Sequence, residues 1–297
     1  MQKRKGIILA GGSGTRLDPI TKSISKQLIP IYNKPMIYYP LSVLMLAGIQ
    51  DILIITQTNF IPLYKRLLGD GSNFGINIQY ESQDLPNGIA ESLLIGEKFI
   101  GDDKVALILG DNIFYGSSLT GQLLAAGSSD LNSIFCSKVD NRSDFGILEI
   151  GEGNKQKIIE KPKKSKSNLA VTGLYFYNND VIKIAKKLKP SARGELEITD
   201  LNNQLIKSNK INVVNLYRGT LWLDTGTFEN LYQCSSIIYS IEKNTNVMVG
   251  CIEEIAFSKK WITKKQLINS IANKNSQYYL SLLKTIGHQT NLSKISN

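Results

Sequence analysis

Short apolar runs recur through the first half of the chain, at residues 7–10, 52–56, 76–80, 105–109 and 134–137. Each is compact and aliphatic, the pattern of a buried β-strand. Between them, residues 36–47, 60–68 and 90–99 carry helical patterns. Alternation of this kind predicts an α/β fold with a single Rossmann-like, mostly parallel sheet flanked by helices on both faces. Ligands of such sheets bind beyond the carboxyl ends of the strands. The segments leaving the first and fourth runs, residues 11–16 and 110–111, are therefore expected to reach one crevice.

The second half changes character. Residues 145–150 and 157–159 flank Gly151-Glu152-Gly153-Asn154, which signals a hairpin. Val181, Ile184, Ala185 and Leu188 form the stripe of an amphipathic helix that Pro190 should end. A strand is expected at 213–217, before Trp222-Leu223-Asp224, and a small helical appendage after Glu253. No repeat, low-complexity tract or linker interrupts the chain, so residues 1–297 are expected to form one domain with insertions.

Composition excludes several classes. With 42% apolar and 20% charged residues, the 297-residue chain has the balance of an ordinary soluble protein. No apolar stretch approaches the roughly 18 residues of a membrane span. The basic start, Met1-Gln2-Lys3-Arg4-Lys5, leads into an apolar run too short for a secretion signal, so a cytoplasmic location is expected. Cys136, Cys234 and Cys251 are widely spaced and unpaired in pattern, and read as buried apolar residues in a reducing compartment. The net charge of +10 is concentrated in residues 255–297, which hold seven lysines and no Asp or Glu. No nucleic-acid-binding motif accompanies it, so a solvated basic face is expected and no nucleic-acid partner.

The densest chemistry is Gly11-Gly12-Ser13-Gly14-Thr15-Arg16-Leu17, directly after the first apolar run. Glycines at a strand end let backbone N–H groups approach a phosphate, and Arg16 and Lys26 add fixed positive charge. Leu17 stands where the dinucleotide fingerprint needs its third glycine, and the P-loop pattern is absent. Asp111 follows the fourth strand and Asp224 follows Trp222-Leu223. Two carboxylates from different strand ends, completed by substrate phosphates, suit Mg²⁺. Alternatively, Asp224 caps a following helix. The only histidine, His288, lies near the C-terminus, which argues against a histidine-centred triad.

These residues, with Lys26-Gln27-Leu28-Ile29-Pro30 and Lys34-Pro35-Met36-Ile37-Tyr38-Tyr39-Pro40, resemble the sugar-phosphate nucleotidylyltransferases, particularly the thymidylyl-transferring members. The likeness continues through residues 109–116, 171–177, 192–200 and 222–227, and covers roughly residues 4–280. It implies a nucleotide-binding core over 3–140, a sugar-phosphate-binding part over 141–230 and a helical appendage over 240–297. The implied reaction moves a thymidylyl group from dTTP to α-D-glucose 1-phosphate, with Mg²⁺, and supplies dTDP-rhamnose or another dTDP-sugar. Uridylyl or cytidylyl transfer to the same sugar phosphate, or a glycosyltransferase using a sugar nucleotide, are the alternatives.

By position, the resemblance implies catalytic roles for Arg16, Lys26, Asp111 and Lys161, with the metal on Asp111 and Asp224. Nucleotide contacts fall to Leu9, Gly11, Gly12, Gly14, Thr15, Arg16, Gln27, Gln83, Pro86, Gly88 and Asp111. Gln83 would offer the base edge a donor and an acceptor together, and Gly88 would admit the base to the backbone. Asn112, Gly146, Glu160, Lys161, Val171 and Tyr175 would hold the sugar phosphate. A second, regulatory site for a dTDP-sugar end product is implied at Tyr115, Gly116, Arg218, Gly219, Cys251 and Glu254, in a homotetramer. Two departures stand out: Glu91 where relatives commonly have Gln, and Ser117 where they often have His.

Overall fold

A computed structural model describes residues 3–12, 14–272 and 274–295, with side chains to residue 287. Ser13 of the glycine-rich run, the first two residues of the basic start and the side chain of His288 lie outside the described part. The chain begins with β1 (Arg4–Ala10), the small hairpin β2 (Pro30–Ile31) and β3 (Lys34–Pro35), and α1 (Tyr38–Leu46). β4 (Asp51–Thr56), α2 (Ile61–Leu68) and β5 (Asn77–Ser82) follow. Next come α3 (Glu91–Ile95), α4 (Glu97–Ile100), β6 (Lys104–Leu109), β7 (Asn112–Tyr115), α5 (Leu119–Ser128) and β8 (Asn132–Lys138).

The second half contains the expected hairpin, β9 (Gly146–Ile150) paired with β10 (Gln156–Glu160), then the long strand β11 (Leu169–Tyr177). α6 (Val181–Ala185), α7 (Ile198–Lys207), β12 (Ile211–Asn215) and β13 (Leu221–Asp224) complete this part. α8 (Phe228–Thr245), α9 (Ile252–Ser258), α10 (Lys264–Ile271) and α11 (Gln277–Ile295) close the chain.

The main sheet runs β10-β9-β11-β6-β1-β4-β5, with β8 on β11 and β12 on β8. Its centre, β6-β1-β4-β5, is wholly parallel. Beyond β6 the sheet reverses, since β11 is antiparallel to β6, β8 and β9. The central runs are continuously apolar because both faces are covered. Successive residues point to opposite sides. Ile8, Ile52 and Ile54 pack with Leu41, Leu44, Ile252 and Leu282 on one face, whereas Ile7, Leu53 and Ile55 meet Leu93, Val181 and Leu201 on the other. Residues of α9, α10 and α11 thus share a core with α1.

Three expected elements differ. The helix over 90–99 is two short ones, broken at Gly96, where a Cβ would lie 2.7 Å from Ile7 Cδ1. The amphipathic helix before Pro190 stops at Ala185 and winds down through tighter turns, Lys187 and Leu188 each donating to the carbonyl three residues back. The strand expected at 213–217 lies at Ile211–Asn215, in parallel register with β8.

Candidate active site

β1 and β6 are parallel neighbours, so the segments that leave them emerge side by side, and Gly110 N donates to Leu9 O at 2.8 Å. A Cβ on Gly110 would sit 3.0 Å from that carbonyl and 2.9 Å from Gln27 Cγ, so this crossing is tight. Gly14, at φ 63°, opens a short 3₁₀ turn over Thr15–Leu17. That turn buries Leu17 completely and leaves Thr15 and Arg16 exposed.

Lys26 is buried, and its Nζ lies 2.7 Å from Asp111 Oδ2. Asn112 Nδ2 donates to the other carboxylate oxygen at 3.1 Å. Burial pushes the Asp111 carboxyl up, but the charge and hydrogen bond of Lys26, with Asn112, outweigh it and hold it below the usual carboxylate range. Asp224 reaches the same place from β13, where it pairs with Asn112 in the short β7–β13 ribbon. Its carboxyl is pushed up to about 6 by burial and then by the charge of Asp111, only partly offset by Lys26 and Arg16. Gly226 makes room for this meeting: a Cβ there would lie 3.2 Å from Asp224 Oδ2 and 3.4 Å from both terminal nitrogens of Arg16. The capping alternative for Asp224 fails, because Thr227 caps α8 by accepting from Asn230 N.

Arg16, Asp111 and Asp224 border a cavity of about 260 Å³ that extends toward the β9–β10 hairpin. Asn112, Gly146, Glu160, Lys161, Val171 and Tyr175 also line it, so the expected sugar-side residues come together. Glu160 accepts from Thr199 Oγ1 at 2.5 Å, and Lys161 holds a left-handed backbone, φ 43°. Val171 and Tyr175 flank an irregularity in the β11–β8 register. Asn112 is less free than expected. Its Oδ1 already accepts from Gly173 N and Trp222 Nε1, so its side chain mainly braces Asp111. Arg193, given no role above, also lines the cavity, with Glu160, Glu195 and Glu197 around its guanidinium.

On the nucleotide side, Gly12 is exposed with nothing within 4 Å of a Cβ placed on it, whereas Gly11 is buried and a Cβ there would lie 2.9 Å from Gln83 Oε1. Pro86 is exposed, whereas Gln27 is buried and its Oε1 accepts from Ser25 Oγ, which takes that side chain away from a ligand. Gln83 is also buried, and its Nε2 donates to Glu91 Oε2 at 2.7 Å and Gly88 O at 3.3 Å. It therefore presents an acceptor alone, not the donor–acceptor pair expected. Gly88 has φ 103°, and a Cβ would fall 2.4 Å from Leu196 O. The backbone of residue 196 demands this glycine, whatever a base does.

The residues assigned to a regulatory site are only partly assembled. Tyr115 pairs with Leu221 across β7–β13, a Cβ on Gly116 would meet Thr220, and Arg218 and Gly219 are exposed in the turn just before β13. Cys251 is buried, with its Sγ 3.3 Å from Tyr278 Oη, so its side chain faces the core rather than a ligand. Glu254 lies in the first turn of α9, with its side chain half-buried.

Comparison with known proteins agrees with this geometry. The profile of the family described as "Nucleotidyl transferase" matches residues 5–240. A glucose-1-phosphate thymidylyltransferase of Neisseria meningitidis is 52% identical over 94% of this chain and 99% of that protein. The enzyme of the same description from Mycobacterium tuberculosis is 51% identical over 89% of this chain and 92% of that one. Among solved structures, a Bacillus anthracis chain described as a glucose-1-phosphate thymidylyltransferase, in complex with sucrose, superposes with TM-score 0.72 at 40% identity. It spans 79% of this chain and 94% of that one. A UDP-glucose pyrophosphorylase bound to UDP-glucose follows at TM-score 0.69 and 26% identity, over 81% and 99% of the two chains. The chain belongs to the nucleotidyl transferase family, among its glucose-1-phosphate thymidylyltransferases.

Proposed function

We propose that this chain joins dTTP and α-D-glucose 1-phosphate into dTDP-glucose and pyrophosphate. The observation that carries the reading is the convergence of Arg16, Lys26, Asp111 and Asp224 on one crevice that opens into the cavity bearing Lys161. A phosphate oxygen of the sugar phosphate attacks the α-phosphorus of dTTP. One P–O bond forms, the bond to the bridging oxygen breaks, and its electron pair leaves with pyrophosphate. The nucleophile is already anionic, so no general base is needed, and positioning with charge stabilisation carries the step. Lys161 holds the sugar phosphate, Lys26 the triphosphate, and Arg16 meets the charge that gathers on pyrophosphate. Arg193 faces the same cavity and adds a second cation on the sugar side.

The acidic pair fits a divalent cation. Among the described residues no group of three or more His, Cys, Asp or Glu is placed to cage an ion. Two carboxylates completed by phosphate oxygens and water are what Mg²⁺ accepts; burial and then the charge of Asp111 push the Asp224 carboxyl up, and a cation there would favour its ionised form. Mg²⁺ held by Asp111 and Asp224 would neutralise charge at the α-phosphate.

The remaining expectations extend this reading. An end-product site would centre on Tyr115, Gly116, Arg218 and Gly219, where Arg218 can pair with a diphosphate. Arg218→Ala should then relieve inhibition by a dTDP-sugar with little change in uninhibited rate; purely competitive inhibition unaffected by it would remove that site. Exposed Phe228, Tyr232 and Tyr239 on α8, with Tyr32 against Tyr239, supply apolar surface for a homotetramer. No helix among the described residues is long and apolar enough to cross a membrane, in keeping with a cytoplasmic enzyme.

The test is pyrophosphate release across nucleoside triphosphates and sugar 1-phosphates. Release should require both substrates and be fastest with dTTP and glucose 1-phosphate. Release from dTTP alone, or none with the pair, would contradict the assignment.

A further inference from the structure

The base side of the crevice is organised by a carboxylate that the reaction above does not use. Glu91 is the first residue of α3 and is half-buried. Its Oε2 accepts from Gln83 Nε2 at 2.7 Å and its Oε1 from Asn87 Nδ2 at 2.8 Å. A carboxylate offers acceptors only, so both neighbouring amides must turn their NH₂ groups toward it. The second hydrogen of Gln83 Nε2 goes to Gly88 O. Both donors of this amide are thereby engaged inside the protein. Its Oε1 is left beside Gly11, 2.9 Å from where a Cβ of that residue would stand, and accepts from no described residue.

We propose that Glu91 is a positioning residue that fixes the hydrogen-bond polarity of base recognition. It locks Gln83 with the carbonyl toward the nucleotide, and the site selects a pyrimidine that presents a ring N–H, as thymine and uracil do at N3. Cytosine carries a lone pair at N3, which would face the lone pairs of Gln83 Oε1 and leave both unsatisfied. The same geometry makes no distinction between thymine and uracil, whose N3 groups are alike. This inference rests on the proposed placement of the nucleotide beside Gly11 and Gln83.

Glu91→Gln keeps the size and the acceptor for Asn87 but adds an NH₂ that can donate to Gln83 Oε1. The Gln83 amide is then free to turn over and present its own NH₂ to the base. With glucose 1-phosphate fixed, the preference for dTTP over dCTP in kcat/KM should narrow by about tenfold or more, the worth of one misplaced hydrogen bond. The change should lie mainly in the triphosphate KM, with the sugar-phosphate KM unmoved. If Glu91→Gln lowers use of both triphosphates by the same factor, Glu91 is merely structural and the proposal fails. A second measurement uses the unaltered protein: N3-methyl-dTTP, which lacks the donor, should be rejected, and acceptance on a par with dTTP would overturn the proposal. Gln83→Ala separates the two levels of failure. If it leaves the KM of every triphosphate unchanged, the base does not lie beside Gln83 and the nucleotide placement itself is wrong. A raised dTTP KM in Gln83→Ala, with an unchanged preference in Glu91→Gln, would sink only the role of Glu91.

Discussion

Asp111 and Asp224 share a site yet face opposite electrostatic environments. Lys26 and Asn112 satisfy Asp111, while half-buried Asp224 faces a like charge with its carboxyl pushed up to about 6. Asp111→Asn and Asp224→Asn should each cost turnover on the order of several kcal/mol in the transition state, with the fold retained. Near wild-type rates in Mg²⁺ for either variant would refute the shared metal site. Their stabilities should diverge. The folded state holds the Asp224 proton more tightly than the unfolded chain, whose carboxyl titrates near ~3.9. Stability from this group is therefore complete below about pH 4 and is lost as pH rises through about 6. In metal-free buffer at pH 7.5, Asp224→Asn should melt above the wild type, and the gap should close toward pH 4. A lower melting temperature at pH 7.5 would show the strain to be absent. Arg16 is exposed on its 3₁₀ turn, with its guanidinium beside Gly226 and its charge felt by Asp224, so in the proposed reaction it would meet charge moving onto pyrophosphate. Arg16→Ala should therefore lower kcat far more than it raises the sugar-phosphate KM; the reverse would place Arg16 in sugar binding. Arg16, Lys26, Asp111 and Asp224 stood out in the sequence at the glycine-rich turn and the strand ends, whereas Glu160 and Lys161 were reached only through the family resemblance. Arg193 and the orientation of Gln83 were not, since each depends on carboxylates distant in sequence or on the far side of a turn.

At the level of elements, periodicity located the parallel strands to within a few residues because their both-face burial leaves unbroken apolar runs. It failed where a distant contact decides the backbone. The break at Gly96 reflects the close approach of Ile7, and no local pattern in residues 90–99 encodes that approach. The turn before β5 is a similar case. Gly75 has φ 64°, and a Cβ on it would lie 2.6 Å from Trp261 O in the connection between α9 and α10. Gly75→Ala combines backbone strain with a clash against main chain, so a loss of about 2 kcal/mol is expected. Thermal unfolding would show it as a melting temperature several degrees lower. An unchanged melting temperature would mean that the Trp261 turn yields freely and does not clamp the sheet edge.

Across the whole molecule, β6 is the hinge of the architecture. On one side the sheet is parallel and carries the glycine-rich turn; on the other β11 runs antiparallel to its neighbours and leads to the β9–β10 hairpin with Glu160 and, just after it, Lys161. Asp111 leaves β6 at this change of direction, between the part that would hold the triphosphate and the part that would hold the sugar phosphate. The apolar pattern showed the parallel half plainly and, beyond β6, the hairpin, β8 and β12, but not β11, which is buried along nearly its whole length and gives no alternation. This two-sided arrangement implies direct in-line attack between two bound phosphates, with no nucleotide attached to the protein on the way. The stereochemistry at phosphorus tests it most directly. With glucose 1-phosphate and a single diastereomer of dTTP carrying sulfur on the α-phosphorus, the product should show inverted configuration. Retention would require two successive displacements through a nucleotidylated side chain and would contradict the account.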